Sequence, residues 1–433
     1  MTIVASLKTN PYWWEAAPPT DMPKTDVAET CDVAIVGAGY TGLSAALVLA
    51  RAGRSVQVFD SLRAGEGAST RNGGIASGNI RIGFGTLIDQ FGLERAKSIY
   101  AEGKLARERL SAFLDDEGIA CDQQMVGRFA GAVAPKHFEA MRREADLLNT
   151  HVDLGVSVID RKDQHAELGT DYYHGGVVRP DIGGLHPGKF HAGLFGRASD
   201  AGATIHTSTA VQGVQRDGDG YTVRTARGTV RAGDVLVGTN GYTDKANAWL
   251  QRRLVPVPSR IIVTEPIGVD VMARLMPKRR MLVESRRVGY YYRPTPDGTR
   301  ILFGGREGAA NASPEEVVRI HMGRLVEIFP ELADIQAEFS WSGFVAYSRD
   351  YMPRLFSHDG MHYAVGYCGS GVVWAWWTGR HAAFQILGQG ETESAFLCDP
   401  PKAIPLYAGK PWFLPAMMKW FGFQDRMDQR PGR

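Results

Sequence analysis

Cysteine is scarce in this sequence. The four present, Cys31, Cys121, Cys368 and Cys398, lie far apart and form no CxxC pair, which argues against a thiolate metal site or a redox dithiol. So few cysteines fit a reducing compartment. Charge of one sign is not in excess either: the formal net charge is +2 at pH 7 and no block of like charge occurs. A general nucleic-acid binder needs a concentrated basic face, so that class is excluded. No apolar run reaches the roughly 20 residues that span a bilayer. The opening "MTIVASLKTNPYWWEAAPP" lacks the basic start and long apolar core of a secretory signal. A soluble cytoplasmic protein with no integral membrane association is therefore expected. No Ser-His-Asp set emerges, and His174, His186 and His191 lack ligand spacing, so no metal is expected. Internal repeats and low-complexity segments are missing as well.

What is present begins with length. A chain of 433 residues exceeds one ordinary core and predicts two domains. The stretch "CDVAIVGAGYTGLSAALVLARAGRSVQVFD", residues 31–60, predicts a strand over 32–36, a turn, a helix over 41–52 and a second strand over 55–59. The turn is GxGxxG. Gly37 permits the tight bend, Gly39 lets the backbone approach a pyrophosphate, and Gly42 lets the helix, which opens at Thr41, pack close to the sheet. The helix start offers unpaired N–H groups to phosphate. Asp60, at the end of the second strand, suits ribose hydroxyls and repels a 2′-phosphate. Strand, turn, helix, strand and acid in this order make a dinucleotide site, although NAD and FAD both use it. The next segment, "SLRAGEGASTRNGGIASG", separates the two. It is polar and glycine-rich where a NAD fold would start another strand–helix unit. Ser69, Thr70, Arg71, Asn72, Gly73 and Gly74 read as a loop running along an FAD toward its ring; a solvent loop is the other reading.

A second glycine-rich helix start appears more than three hundred residues later, in "GYCGSGVVWAWWTGR", residues 366–380. Cys368 reads as a small buried residue or as a reactive thiol. Trp374 and Trp377 share one helical face and read as packing or as a pocket wall.

Between these motifs, residues 93–116, 136–149 and 190–201 predict helices. Residues 203–211 predict a strand, and "GYTVRTARGTVRAGDVLVGTN" a hairpin followed by a buried strand over 235–238. Residues 260–308 predict long strands with a turn at Pro296-Asp297-Gly298. In a strand over 288–294, Tyr290 and Tyr292 share one face and Tyr291 takes the other. One face is read toward a substrate, with sheet packing as the alternative.

These pieces resemble the D-amino-acid-oxidase-like flavoproteins, in particular the branch with gamma-glutamylputrescine oxidase and glycine oxidase. The resemblance also rests on "NPYWWEAAP", "LGTDYYHGGVVRPDIGGLHPGKF", "YYYRPTPDGTRILFGGR", "WSGFVAYSRDYMPRL" and "AIPLYAGKPWFLPAMMKWFGFQDRMDQ". It implies an α/β fold in which a Rossmann-like FAD domain is interleaved with an antiparallel-sheet substrate domain. The implied segments are 1–29 (N-terminal), 30–90, 185–245 and 335–400 (FAD), 91–184 (helices and substrate-domain strands), 246–334 (substrate) and 401–433 (tail). It implies noncovalent FAD, since "GFVAYSRDYMP" lacks the attachment cysteine of some relatives. Gly369, Ser370, Gly371 and Val372 become flavin-ring contacts, Val211 an adenine clamp, and Thr239 a turn beside the cofactor. Where the family shows a serine and a histidine in the last motif, this chain has Cys368 and Ser370.

The implied reaction oxidises an amine or amino-acid C–N bond, with Tyr290, Tyr292 and Arg306 as the candidate catalytic residues. Partners are a small-molecule amine and oxygen or another electron acceptor; residues 301–305 lack the lysine with which some relatives speed oxygen. Oxidation of a hydroxy acid or a ring C–N bond, and a flavin protein of altered or lost activity, are the alternatives. Among arginines flanking the site in sequence, Arg293 and Arg306 are the candidates for an anionic group on the substrate. The apolar tail reads as packed on the body or as a membrane-surface anchor.

Overall fold

The computed structural model describes residues 7–308 and 311–429; the ends of the outermost segments and residues 309–310 lie outside the described residues. Val33, Ala34 and Ile35 are all buried, as a central parallel strand with both faces covered requires. That strand, Thr30–Val36, pairs in parallel with Gly228–Val237 on one side and Val56–Phe59 on the other. Met361–Val365 and Thr204–His206 extend the parallel set, and Arg354–His358 closes one edge antiparallel. A second eight-stranded sheet runs in the order Ala337–Tyr347, Val255–Thr264, Ile301–Gly305, Tyr291–Pro294, Met281–Glu284, Arg128–Gly131, Gly176–Arg179, Ser157–Ile159. The interleaved α/β architecture is therefore present.

The helix Leu93–Asp116 has the predicted limits. Pro187–Asp200 starts three residues early, because Pro187 sits at the first helical position and the His186 ring accepts the Lys189 N–H at 3.1 Å. The strand expected over 203–211 is two, Thr204–His206 and Val211–Asp217, broken where Ser208 takes a φ of +49°. The hairpin and the buried strand expected after it share one continuous strand, Gly228–Val237, paired with Gly220–Thr225. In the second sheet, regular pairing begins only at Tyr291. The N–H groups of Arg287 and Val288 donate to Asp425 on the tail helix, and that of Tyr290 to Glu284, so they leave the ladder. The tail helix, Leu414–Asp428, thus packs back on the body, and Asp428 adds pairs to Lys136, His137 and Arg287.

One contact brings the two glycine motifs together. The helices Tyr40–Arg51 and Gly371–Leu387 cross so closely that a Cβ on Gly379 would stand 2.2 Å from the Thr41 carbonyl oxygen. Within the first motif, a Cβ on Gly42 would stand 1.9 Å from the Gly37 carbonyl oxygen. Thr41 Oγ1 shares a hydrogen bond with the Tyr367 hydroxyl at 2.7 Å, and Ser44 donates to the Trp376 carbonyl at 2.7 Å. Trp374 and Trp377 are fully buried and donate to the Asn79 carbonyl and to Glu102, which is packing rather than cavity wall.

Candidate active site

A cavity of about 780 Å³ starts at Asp60, passes the Gly37–Thr41 turn and reaches Gly369–Val372. It then continues under the second sheet to Tyr291 and Arg306. Asp60 accepts the N–H groups of Ala38 (2.7 Å) and Leu62 (2.9 Å), which hold its carboxylate at the cavity edge. Burial raises its pKa, and these two donors oppose the rise. Ser69 Oγ accepts the Tyr40 N–H at 3.0 Å and stands at the helix start, tying the loop to the turn.

The Ser69–Gly74 loop is not a solvent loop. Asn72 donates to the carbonyls of Ala68 and Ser69 and accepts the Gly74 N–H at 2.8 Å. Arg71 donates to the Glu66 carbonyl at 2.8 Å and reaches Ser342 at 3.2 Å. The N-terminal Trp13 and Trp14 brace it from behind, donating to the Asn72 carbonyl (2.8 Å) and Thr70 Oγ1 (2.9 Å). Ser69, Arg71, Asn72, Gly73, Val211 and Thr239 line the cavity; Gly42, Thr70 and Gly74 stand behind its wall.

At the far end, Ser370 precedes the helix Gly371–Leu387, and its hydroxyl lies 3.1 Å from that of Ser77. Arg306 approaches closely: a Cβ on Gly369 would sit 3.2 Å from its Nη2. Its Nε and the neighbouring Tyr347 hydroxyl are buried without partners. Arg81 shares the Tyr347 ring with Arg306, and burial together with the Arg306 charge lowers its pKa. Cys368 is buried, its thiol pKa is raised by burial, and its Sγ donates to the Gly366 carbonyl at 3.1 Å.

The tyrosine faces alternate as expected, but it is the Tyr291 face that meets the cavity, so Tyr292 does not reach it. Tyr291 faces the cavity, with its hydroxyl 3.1 Å from Ser259 Oγ. Tyr292 points into the core on the opposite face, where its hydroxyl meets that of Tyr173 at 2.9 Å. Tyr290 packs on that same face against Phe303 and His321 and bonds Glu307, yet also borders the cavity. Arg293 is fully buried and away from the cavity; it donates to the carbonyls of Gly74 and Leu185, each at 3.1 Å, and fastens the loop to the sheet.

Sequence reading missed Glu284. It lines the cavity beside Arg286 (3.6 Å), and its side chain has no exposure to solvent. Burial pushes its pKa up to about 8, opposed by the Tyr290 N–H. Between its ordinary value and about 8, the folded protein keeps a proton that the unfolded chain has released. Stability therefore falls as pH rises through this window. Thermal melts at pH 5.5 and 8.5 are expected to show a smaller difference in Glu284→Gln than in the parent; an equal difference would place the titration elsewhere.

The comparisons with known proteins agree with this geometry. The model of the family described as FAD dependent oxidoreductase (DAO) matches residues 32–385. The chain belongs to this family. It is an FAD-dependent oxidoreductase. The oxidoreductase is 30% identical to the probable oxidoreductase OrdL of Rhizobium meliloti (strain 1021), over 98% of this chain and all of that one. It is 30% identical to the gamma-glutamylputrescine oxidoreductase of Escherichia coli (strain K12), over 87% of this chain and 88% of that one. Among solved structures, the glycine oxidase of Geobacillus kaustophilus superposes with a TM-score of 0.71 at 20% identity, covering 85% of this chain and 97% of that one. Members of the family use FAD, and the oxidoreductase has residues that fit it: an elongated cavity with a carboxylate and a helix start at one end and a second helix start beside two unpartnered buried polar atoms at the other. No described helix is long and apolar enough to cross a membrane.

Proposed function

We propose that this oxidoreductase oxidises the C–N bond of an amine or amino acid. The observation that carries the reading is the continuous cavity: it joins the phosphate turn to the Gly369–Val372 helix start and ends among Tyr291, Arg306 and Arg81. The names of two similar proteins, a gamma-glutamylputrescine oxidoreductase and a glycine oxidase, support the amine class. When bound, FAD would supply at its N5 the hydride acceptor for the carbon next to nitrogen, and water would hydrolyse the imine product.

The chain's own residues bind and position. Gly37, Gly39, Thr41 and Asp60 hold the dinucleotide end. Ser69, Arg71, Asn72, Gly73 and Gly369–Val372 would hold the ring end, where the helix N-terminus would favour negative charge. Tyr290, Tyr291 and Ser259 wall the substrate end, and its partial burial favours the neutral amine that hydride transfer requires. Arg306, with Arg81 beside it, takes an anionic group of the substrate. We assign no chemical role to Tyr292. Oxygen is the proposed final acceptor, giving hydrogen peroxide, in a cytoplasmic enzyme. The strand Ile301–Gly305 has no lysine, which favours a second reading in which another acceptor reoxidises the flavin.

Anaerobic bleaching of the yellow protein with a panel of amines tests the reaction. An amine alone is expected to bleach it, and air to restore the colour; colour that returns only with an added quinone or acceptor protein supports the second reading. A panel of amines and amino acids that leaves the colour unchanged would count against C–N oxidation. Acid precipitation should release all the colour as FAD, because no cysteine lies at the usual attachment position; colour kept in the pellet would contradict noncovalent binding.

A further inference from the structure

Three guanidiniums meet at one wall of the cavity, against a single carboxylate. Arg128 and Arg179 sit directly opposite each other on the neighbouring strands Arg128–Gly131 and Gly176–Arg179. Like charges in that position are destabilising. Arg179 is committed to Asp181, with bonds of 2.9 and 2.8 Å, and Arg107 pairs with the same Asp181. Arg107 also donates to the Ser77 carbonyl at 2.7 Å. Among the described residues, Arg128 has no carboxylate within bonding distance. With the Asn79 amide oxygen turned toward it, its Nη1 and Nη2 donate to that oxygen at 2.7 and 3.0 Å, and its Nε is buried without a partner.

The cluster thus carries two more positive charges than negative ones, inside the protein. Burial, with the Arg179 charge next, lowers the Arg128 pKa to about 9. Charge buried to this extent is costly unless it is matched. Arg128 lines the main cavity. Behind it, the void among Asn79, Arg107 and Arg179 is only about 10 Å³, room for one water at most. The matching anion must enter from the substrate side.

We infer that Arg128, backed by Arg107 and Arg179, is an oxyanion site in the cavity wall, and that it receives a carboxylate of the substrate separate from the group held at Arg306. The planar fork of Arg128 suits a carboxylate. The inference rests on the amine-oxidation reading above. It makes the substrate an amine with two anionic groups: one at the ring end by Arg306 and Arg81, the other at Arg128. The shared chemistry is a small oxyanion, which a free carboxylate or phosphate could also supply.

The test uses the flavin-loaded protein, its Arg128→Met variant and its Arg128→Lys variant. Anaerobic flavin reduction is measured at low substrate with amines of one chain length bearing one or two carboxylates. In the parent, the second carboxylate should raise the second-order rate about thirtyfold or more, the loss typical of an unpaired buried charge. That ratio should collapse toward one in Arg128→Met and be intermediate in Arg128→Lys. Equal ratios in parent and Arg128→Met would overturn the assignment to substrate. In a second arm, acetate and inorganic phosphate are titrated while melting temperature is followed. Stabilisation of the parent but not of Arg128→Met, with no preference for the second carboxylate, supports the oxyanion site and assigns it to a free anion. No anion response and no carboxylate preference would sink the site itself. In anion-free buffer Arg128→Met should melt no lower than the parent, because an uncompensated cation is removed; a large drop would mark Arg128 as structural. If no amine bleaches the flavin, the function reading fails, while the anion titration still judges the site.

Discussion

Gly379→Ala should yield protein that is colourless and markedly less stable. The added methyl would stand 2.2 Å from the Thr41 carbonyl oxygen and 2.9 Å from its carbon, both backbone atoms that cannot rotate away. Overpacking of this kind costs about 1–3 kcal/mol where side chains can yield, and more where they cannot. The helices Tyr40–Arg51 and Gly371–Leu387 would have to separate, and with them the two glycine-rich helix starts that line the cavity. Loss of cofactor should therefore exceed what the loss of stability alone predicts. Gly196→Ala is the control. It lies in the helix Pro187–Asp200 with nothing within 4 Å of a new Cβ, so it should keep full colour and gain up to about 1 kcal/mol. Absorbance of bound flavin per protein and denaturant melts of the two variants decide the matter. Full flavin content and parental stability in Gly379→Ala would show that the helix contact is not what joins the two motifs.

Arg306→Ala is the second large effect. Arg306 borders the cavity near Gly369, has no carboxylate partner among the described residues and leaves its Nε unbonded. Losing one partner of a buried, hydrogen-bonded charge pair costs roughly 2–5 kcal/mol, a fall of about thirtyfold to several-thousandfold in kcat/KM for an acidic amine. A matched amine without the anionic group should lose little. Arg293→Ala serves as the contrast, since Arg293 holds two backbone carbonyls and never reaches the cavity. It should lower stability and flavin retention while treating both amines alike. If Arg306→Ala slows both amines equally, Arg306 does not read the substrate's charge.

The dinucleotide half of this protein was legible in the sequence for a local reason. Thr30–Val36, the glycine turn, Tyr40–Arg51 and Val56–Phe59 are consecutive, and each glycine's task depends on neighbours a few residues away. Apolar runs, helix periodicity and the acid at the strand end are all short-range signals. The second helix start at Gly371 was legible in the same way, as glycines before an apolar helix.

The substrate end was legible only in part. Which tyrosine face meets the cavity depends on which side of the sheet covers it, and where the strand becomes regular is also a tertiary matter. The latter is set by Asp425, more than a hundred residues later, which draws the N–H groups of Arg287 and Val288 out of the ladder. Arg293 and Arg306 look alike in sequence, yet Arg293 is held away from the cavity by the carbonyls of Gly74 and Leu185, whereas Arg306 lines it. Glu284 and Arg128 carry no motif; Glu284 matters because the turn after its strand folds Arg286 and the Tyr290 N–H back on it beside the cavity, and Arg128 because strand pairing sets it opposite Arg179. The sequence by itself determined the cofactor class, the α/β architecture and the two glycine-rich ends of the site, because backbone conformation and hydrophobic period are written locally. Only the tertiary structure decided which charged side chains are neutralised by protein and which are left for a ligand, because a buried charge finds its partner through long-range pairing.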